Sequence, residues 1–372
     1  MTAGTLSAHL RTEWFLAVSA VTSLAFVVSG DLLLGRLSDP LWLAFVFTWL
    51  FATILGSSLS VVRHAENLAV RLGEPVGTLI LTLSITFIEV VSISAVMMHG
   101  ERNPTLARDT LLAVVMIILN GMVGLSLLLG ALRHREQLYN LQGANAYLGV
   151  IMPLAVLSLV LPSYSRTAPD PTLSPAQQAF LVPAAVGLYA VFLAIQTGRH
   201  RTYFAGAHEA AAGHSAPRSP RYGVLGHAAL LVLYLAPLVF LAEQFAHPVD
   251  FLVEELGAPA PVGGLIVAAL VATPEAIGAV RAALANHLQR SVNIFLGSIL
   301  STIGLTVPAV VVVSRLLGHD IVLGVQPAEM MLLLLLTLAT SVVTFASGRT
   351  NVVQGAVHLI LFAAYLLFIA QG

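Results

Sequence analysis

The sequence has no cysteine and no lysine, and only 9% of its 372 residues are charged. The absence of cysteine excludes disulfide bonds, thiolate metal sites and thiol catalysis. All 17 basic residues are arginines, and no basic cluster with interleaved aromatic residues indicates nucleic-acid binding. A soluble domain carries about 25% charged residues, so this chain has too few charges to cover a globular surface.

Sequence motifs of hydrolytic enzymes are also missing. The chain has neither an H-E-x-x-H zinc motif nor a G-x-S-x-G nucleophile motif. Since there is no cysteine nucleophile either, we expect a protein that is not an enzyme and that needs no resident cofactor.

Long apolar runs make up most of the chain, which is 58% hydrophobic with a mean hydropathy of +0.90. Runs of roughly 18–25 apolar residues recur, and each can cross a ~30 Å hydrocarbon core as a helix. This pattern predicts an all-α polytopic membrane protein with about eleven transmembrane helices. The predicted spans are 14–34, 41–62, 76–98, 110–131, 144–161, 178–197, 222–242, 261–285, 291–317, 326–346 and 351–370. The first run resembles a signal peptide, but Glu13 and the ending VVSGD favour a retained helix.

The arginines are unevenly divided between the two sides of the predicted membrane. The side that holds the N-terminus has twelve of the 17, and the other side has the remaining five, Arg36, Arg102, Arg108, Arg166 and Arg315. Because cytoplasmic loops are enriched in basic residues, we expect a cytoplasmic N-terminus and, after an odd number of spans, a C-terminus outside. The hydrophilic connector 198–221 is then a cytoplasmic linker.

Two stretches of the sequence match each other. Residues 75–89 read PVGTLILTLSITFIE, and residues 261–275 read PVGGLIVAALVATPE. Each has a Pro-Val-Gly followed by a glutamate twelve residues after the glycine, Glu89 in the first copy and Glu275 in the second. Arg108 and Arg290 then open the next helix of each copy, and twelve residues further on lie Asn120 and Thr302.

The two copies enter the membrane from opposite sides, because their glutamate helices are the third and the eighth predicted spans. Secondary transporters are often built from such inverted repeats, with the binding site near mid-membrane. The predicted organisation is an extra N-terminal helix at 1–40, a first inverted half at 41–197, the linker 198–221 and a second half at 222–372. This gives two inverted five-helix repeats plus one helix.

Glu89 and Glu275 each lie near the middle of a predicted span. An ionised side chain at the bilayer centre costs roughly 2.5–3.5 kcal/mol on insertion scales. No lysine is present and the arginines lie at helix ends, so the partners left for these carboxylates are protons and bound cations. Competition of the two for the same oxygens is the minimum requirement for a proton-coupled antiporter.

Neutral oxygens accompany both carboxylates. The predicted supporting oxygens are those of Thr86, Thr273, Asn120, Ser298, Ser301 and Thr302. Pro274 removes a backbone donor and should free a carbonyl near Glu275. Carboxylates, hydroxyls and carbonyls suit calcium or sodium better than zinc or copper, so Glu89 and Glu275 are the predicted metal ligands.

Each of these residues also has a purely structural interpretation. A single intramembrane glutamate can be protonated and hydrogen-bonded, although a symmetric pair is harder to explain in that way. Serine and threonine in membrane helices commonly bond their own backbone. His358, in the last span, is expected to be a packed polar residue rather than a ligand.

Four stretches resemble the bacterial branch of the calcium/proton exchangers, within the calcium/cation antiporter superfamily. They are GEPVGTLILTLSITFIE (73–89), TPEAIGAVRAAL (273–284), GSILSTIGLTVP (297–308) and GRTNVVQGAVHLILFAAYL (348–366). The resemblance implies ten core helices in two inverted halves plus an extra N-terminal helix. It also implies an essential acidic residue in each repeat, here Glu89 and Glu275, and exchange of calcium, or in the bacterial branch also sodium or potassium, for protons.

The sequence departs from the family pattern at three places. The repeat core of the family commonly reads Gly-Asn-Ala-x-Glu, but Thr86 and Ala272 stand at the two asparagine positions. Met116 and Leu119 replace serines in the first copy, and the linker 198–221 has Glu209 where many members carry an acidic run. The missing amides bear directly on calcium selectivity.

The sequence therefore predicts a bacterial inner-membrane antiporter that exchanges a small inorganic cation for protons by alternating access, with calcium first. A sodium or potassium/proton antiporter using the same site is the nearest alternative, and an ion channel is a more distant one. The expected partners are the lipid bilayer and the transported cations and protons.

Overall fold

The computed structural model describes residues 13–73, 75–99, 105–165, 172–205, 222–318 and 321–371. The predicted linker 198–221 is described up to residue 205, so most of it lies outside the described residues. The first twelve residues of the predicted N-terminal segment, together with Arg102 and Arg166, lie outside them as well.

Helices make up nearly all of the described chain. The α-helices are α1 Trp14–Leu34, α2 Pro40–Leu72, α3 Val76–His99, α4 Leu106–Met116, α5 Val123–His134, α6 Leu141–Ala155, α7 Pro175–Ala194, α8 Val224–Asp250, α9 Ala260–Leu284, α10 Leu288–Ser301, α11 Val307–Leu317, α12 Ala328–Thr344 and α13 Val352–Gln371. Short π-helical turns are Ile117–Met122, Val156–Val160, Ile195–Arg199, Phe251–Glu255 and Thr302–Thr306, and 3₁₀ turns are Leu161–Tyr164 and Arg201–Tyr203. Two short strands, β1 Gln137–Leu138 and β2 Arg349–Thr350, complete the described elements.

The helices confirm the predicted fold class. Within the described ranges, ten helical stretches are long and apolar enough to cross a membrane, and α12 is a shorter apolar helix of 17 residues. The all-α polytopic architecture with about eleven spans follows from the long apolar runs alone.

Two predicted boundaries are clearly wrong: α8 continues to Asp250, eight residues past the expected end of its span at 242, and α2 continues to Leu72, ten residues past the expected end at 62. Charged and polar residues such as Arg63 and His64 lower the hydropathy there without stopping the helix. The helix ends instead at Gly73, whose φ of 69° is a conformation that glycine adopts without strain. At the other end, Asp39 caps the helix by accepting hydrogen bonds from the backbone of Leu41 and Trp42.

One compact unit comprises residues 1–100 and 216–258, so its described helices are α1, α2, α3 and α8. α8 packs along α2 and α3, and α1 packs against α2 and α8. The phenyl ring of Phe15 lies against Gly56, where an added Cβ would come within 2.1 Å of the ring. Thr22 of α1 accepts a hydrogen bond from the indole of Trp49 at 3.1 Å. The extra N-terminal helix is thus packed closely into this unit.

A second compact unit comprises residues 101–215 and 259–372 and contains the remaining helices. α9 packs along α4 and α5, and α13 packs along α5. Glycines allow these close approaches: a Cβ on Gly264 would lie 2.6 Å from the backbone of α4, and one on Gly355 would lie 2.4 Å from the amide nitrogen of Leu128. Each unit takes segments from both predicted repeat halves. The two halves are therefore not the two packing units, and their inverted symmetry stays a prediction.

Connectors of the second unit meet in two groups. β1 pairs with β2, and His134 lies 2.9 Å from the carbonyl of Leu284, which brings together the chain after α5, α9 and α12. At the opposite helix ends, the amide of Val325 donates to the carbonyl of Leu159 at 2.7 Å. This grouping agrees with the alternation of sides that the predicted spans require. Which group faces the cytoplasm stays a prediction.

Two of the π-helical turns occupy related places in the repeats. Ile117–Met122 follows α4 and contains Asn120, whereas Thr302–Thr306 follows α10 and begins with Thr302. Asn120 and Thr302 are the two positions that the repeat places at equal distances from Arg108 and Arg290. π-Helical turns are rare in proteins overall but common at functional sites. Both segments are therefore candidates for a functional role.

Candidate functional site

Glu89 lies near the middle of α3 and points away from lipid. Its exposed fraction is 2%, whereas Leu83 and Phe87, on another side of the same helix, are 54% and 45% exposed. A carboxylate placed inside a membrane protein in this way avoids the apolar lipid and faces protein or a polar cavity.

Two hydroxyls flank Glu89, one helical turn away on either side. Thr86 and Ser92 are 7% and 3% exposed, and the Oγ atom of each is buried without a hydrogen-bond partner among the described residues. Residues three positions apart lie on neighbouring parts of one helix face. An unsatisfied buried hydroxyl costs about 1–3 kcal/mol, and coordination of a cation beside Glu89 would use these oxygens.

The free hydroxyls contrast with most others in this chain. Thr53, Thr110 and Ser158 each donate to the carbonyl four residues earlier, which is the ordinary arrangement in membrane helices. Other serines, among them Ser58 and Ser126, are also buried without a partner. Lack of a partner alone therefore does not mark a ligand, and what distinguishes Thr86 and Ser92 is their position one turn on either side of Glu89. Ser92 was missed by the sequence analysis, although its three-residue spacing from Glu89 is visible in the sequence.

Glu275 lies in the second unit, in α9, and is half-buried. The hydroxyl of Ser298, in α10, donates a hydrogen bond to its Oε2 atom. Ser301, one turn further along α10, donates to the carbonyl of Ser298 at 2.8 Å. The structure therefore brings together one predicted carboxylate and one predicted supporting hydroxyl, because α9 and α10 pack against each other.

Pro274 and Thr273 shape the backbone beside Glu275. Proline has no N–H, so the carbonyl of Leu270 lacks the intrahelical donor that residue 274 would supply. The hydroxyl of Thr273 donates to the carbonyl of Ala269 at 2.5 Å. Its hydrogen is thereby directed away from Glu275, while its oxygen keeps lone pairs for a further contact.

Asn120 is held in a different set of contacts. Its amide nitrogen donates to Thr337 at 2.8 Å, and its amide oxygen lies 3.2 Å from Nδ1 of His358. The other ring nitrogen of His358 lies 2.9 Å from the hydroxyl of Thr344. All four side chains are at most 3% exposed. His358 is thus a packed polar residue, and Asn120 joins its π-helical turn to α12 and α13. Thr302 and Ser301 are buried, at 1% and 5% exposure.

The site residues offer carboxylate and hydroxyl oxygens and little else. Among the described residues, no group of three or more His, Cys, Asp or Glu is arranged to hold a metal ion. A cation at Glu89 or Glu275 would therefore be coordinated by a carboxylate and neutral oxygens, which suits a hard cation.

The sequence profile of the family described as "Sodium/calcium exchanger protein" matches residues 42–198 and 226–371. The chain belongs to this exchanger family. The prediction of a transporter within the calcium/cation antiporter group is thereby confirmed.

Two bacterial transporters resemble this chain over most of its length. A putative ionic transporter, y4hA of Sinorhizobium fredii, is 44% identical over 321 residues, which cover 85% of this chain and 86% of the relative. The sodium-potassium/proton antiporter ChaA of Escherichia coli is 40% identical over 319 residues, with the same two coverages. The solved structure of native YfkE has a TM-score of 0.72 at 17% identity and covers 96% of this chain and 100% of that chain. This likeness confirms the transporter fold of the exchanger.

Proposed function

We propose that the protein exchanges protons for a small inorganic cation across the bacterial inner membrane, with its N-terminus in the cytoplasm. The observation that carries the proposal is the placement of Glu89 and Glu275. Each repeat has one glutamate in mid-helix, Glu89 buried between two free hydroxyls and Glu275 hydrogen-bonded to Ser298. The names of the relatives, which include a sodium-potassium/proton antiporter, agree with this chemistry.

The hydrogen bond between Ser298 and Glu275 suggests how the site is used. A hydroxyl has one donor hydrogen and two lone pairs, so Ser298 stabilises the empty carboxylate as a donor. When a cation binds, rotation of the same hydroxyl turns a lone pair toward it. When a proton binds, the carboxyl becomes neutral and the cation loses its main ligand. Proton and cation thus exclude each other at one pair of oxygens.

Sodium or potassium is the cation that we propose first. The missing asparagines at Thr86 and Ala272 remove two amide oxygens from the expected ligand set. The relative named as a sodium-potassium/proton antiporter is 40% identical, whereas one named as a Ca(2+)/H(+) antiporter is 26% identical. Calcium, which the sequence analysis placed first, is the second candidate, because carboxylate and neutral oxygens also suit a divalent ion.

The test uses purified protein in liposomes with a pH gradient and a pH-sensitive dye. Addition of sodium, potassium or calcium in turn should collapse the gradient, and the ion that does so at the lowest concentration is the substrate. Glu89→Gln and Glu275→Gln should each abolish the response. Glu329→Gln, which removes an exposed carboxylate at the start of α12, should leave it unchanged.

Two results would contradict the proposal. Cation flux that proceeds equally with and without a pH gradient would indicate a channel. Full exchange in both glutamate variants would place the site elsewhere in the chain.

A further inference from the structure

Three titratable side chains form a hydrogen-bonded row in the first unit, apart from Glu89. Glu13 precedes α1, His64 lies in α2 and His227 lies in the first turn of α8. Nε2 of His64 lies 3.3 Å from Oε2 of Glu13, and Nδ1 of His64 lies 3.0 Å from Nδ1 of His227. Both imidazoles are 1% exposed, and the Glu13 side chain is 9% exposed.

Charged and titratable groups from each neighbouring element face this row. Arg63 of α2 forms an ion pair with Glu13 and also lies 3.3 Å from Nε2 of His64. Tyr234 of α8 donates to Glu13 at 3.0 Å. Arg71 of α2 acts electrostatically on His227, and the Tyr222 ring packs edge-on against both imidazoles. α3, which packs on α2 and α8, carries Glu89.

The contact between the two Nδ1 atoms holds a single proton, which the two rings share as donor and acceptor. A 3.0 Å bond between two ring nitrogens requires one hydrogen and one lone pair. Arg63 and Nε2 of His64 both lie within hydrogen-bond distance of Oε2 of Glu13, and the charge-assisted bond from Nε2–H to this carboxylate favours the tautomer in which Nδ1 of His64 is the acceptor. Nδ1 of His227 is then the donor, and Nε2 of His227 carries a lone pair.

Nε2 of His227 is buried and has no hydrogen-bond partner among the described residues. A proton can bind there without breaking either bond of the row, and the positive charge is then linked through His64 to Glu13. A further proton on Nδ1 of His64 would remove the only lone pair in the contact and break the hydrogen bond between His64 of α2 and His227 of α8. No described group of three or more His, Cys, Asp or Glu is arranged to hold a metal ion, whereas the lone pair on a neutral imidazole nitrogen can bind a proton.

We propose that His227, supported by His64 and Glu13, is a proton-binding site separate from the transport glutamates, and that its occupancy sets the pH at which the protein is active. The site joins α1, α2 and α8, and both α2 and α8 pack against α3, which carries Glu89. A change of one charge at this junction therefore acts directly on the elements that hold the Glu89 helix. Proton binding by the row does not depend on the proposed function, whereas its effect on transport rests on that function.

The first test detects the proton itself. In ¹⁵N-histidine NMR of the purified full chain, the resonances that disappear in His227→Gln should titrate between about pH 5 and pH 8, where histidine changes charge. The same resonances in Glu13→Gln should titrate at a pH lower by about one unit, because the variant loses the negative charge that favours the imidazolium. Resonances that do not titrate in this range would overturn the site.

The second test measures transport in liposomes as a function of pH. His227→Gln should move the midpoint of the pH dependence by about one unit or more and leave the maximal rate and the apparent cation affinity within about twofold. His287→Gln, which changes an exposed histidine before α10, should leave the profile in place. If the NMR titration is present but the profile of His227→Gln matches the wild type, the regulatory part of the proposal is wrong.

Proton release by the purified protein on cation addition separates this proposal from the proposed function. It depends on Glu89 and Glu275 and should persist in His227→Gln. If the wild type releases no protons when the cation is added, the antiport proposal fails. The row would then still be a proton-binding site, but one that does not regulate antiport. If His227→Gln does not fold, Glu13→Gln gives the same measurements with a nearly isosteric change.

Discussion

Replacement of Ser92 by alanine should make the cation-free protein more stable and make cation binding weaker. The two effects have opposite signs because the Ser92 hydroxyl is buried without a partner, one turn from Glu89. Its unsatisfied burial costs about 1–3 kcal/mol, so its removal should raise the free energy of unfolding by about 1 kcal/mol after the loss of packing. If the oxygen is a cation ligand, its loss should weaken binding about tenfold, or about 1.4 kcal/mol.

The linkage between binding and stability gives the size of the effect. A cation at 100 times its Kd stabilises the wild type by about 2.7 kcal/mol. At the same concentration, a variant with tenfold weaker binding gains only about 1.4 kcal/mol. Ser92→Ala should therefore melt above the wild type in cation-free buffer and lose that advantage in saturating cation.

The assay is thermal unfolding in detergent, followed by tryptophan fluorescence, at a series of cation concentrations. Ser84→Ala is the matched control, because Ser84 lies in the same helix at 7% exposure but donates to the carbonyl of Ile80 at 2.7 Å. This control should gain as much from the cation as the wild type does. If the cation stabilises Ser92→Ala as much as it stabilises the wild type, Ser92 is not a ligand. If Ser92→Ala is less stable than the wild type in cation-free buffer, the Ser92 hydroxyl has a hydrogen-bond partner.

Three further predictions concern the second unit and the cation preference. Asn120→Ala should lower the free energy of unfolding by about 2–4 kcal/mol, since it removes a hydrogen-bond partner from the buried side chains of Thr337 and His358. Thermal unfolding measures this change, and an unchanged melting temperature would contradict the hydrogen-bond network. Gly355→Ala should destabilise the protein by about 1–3 kcal/mol, because the new Cβ would lie 2.4 Å from the backbone of α5. The control Gly149→Ala, whose Cβ would meet no atom of another described element within 4 Å, should leave the stability unchanged or raise it in the same thermal unfolding assay. Thr86→Asn, which restores an amide oxygen beside Glu89, should raise the calcium response relative to sodium in the liposome assay, and an unchanged ratio would show that this position does not set the preference.

The repeat and its glutamates could be predicted because they depend on local sequence. A carboxylate at a fixed distance from Pro-Val-Gly is visible in the letters, and an apolar run around Glu89 or Glu275 places it in a helix. The same is true of the eleven apolar runs, whose length alone predicts a membrane helix. The end of α2 was harder, since hydropathy falls at Arg63 while the backbone stays helical to Leu72.

Long-range partners could not be predicted in this way. Asn120 and His358 are 238 positions apart, and His64 and His227 are 163 apart. No periodicity links such residues, because their contact depends on which helices pack together. Ser92 is a different case: its spacing from Glu89 is local, but only the structure shows that its hydroxyl is not bonded to its own helix. The ligand roles of the supporting residues, and the boundaries of the repeat halves, stay predictions.

The π-helical turn at Thr302–Thr306 also has a consequence for insertions and deletions. A turn closed between residues five apart, rather than four, accommodates one extra residue, and one residue rotates an α-helix by about 100°. α10 and α11 therefore keep the phase of one continuous helix, although their span contains one residue more than a regular helix would need. Deletion of a single residue such as Ile303 would close the turn into a regular helix and leave the side chains of α11 in place, whereas the same deletion within α11 would turn every side chain beyond it by about 100°. In this span, the π-helical turn is the place where the chain can lose a residue at the lowest cost.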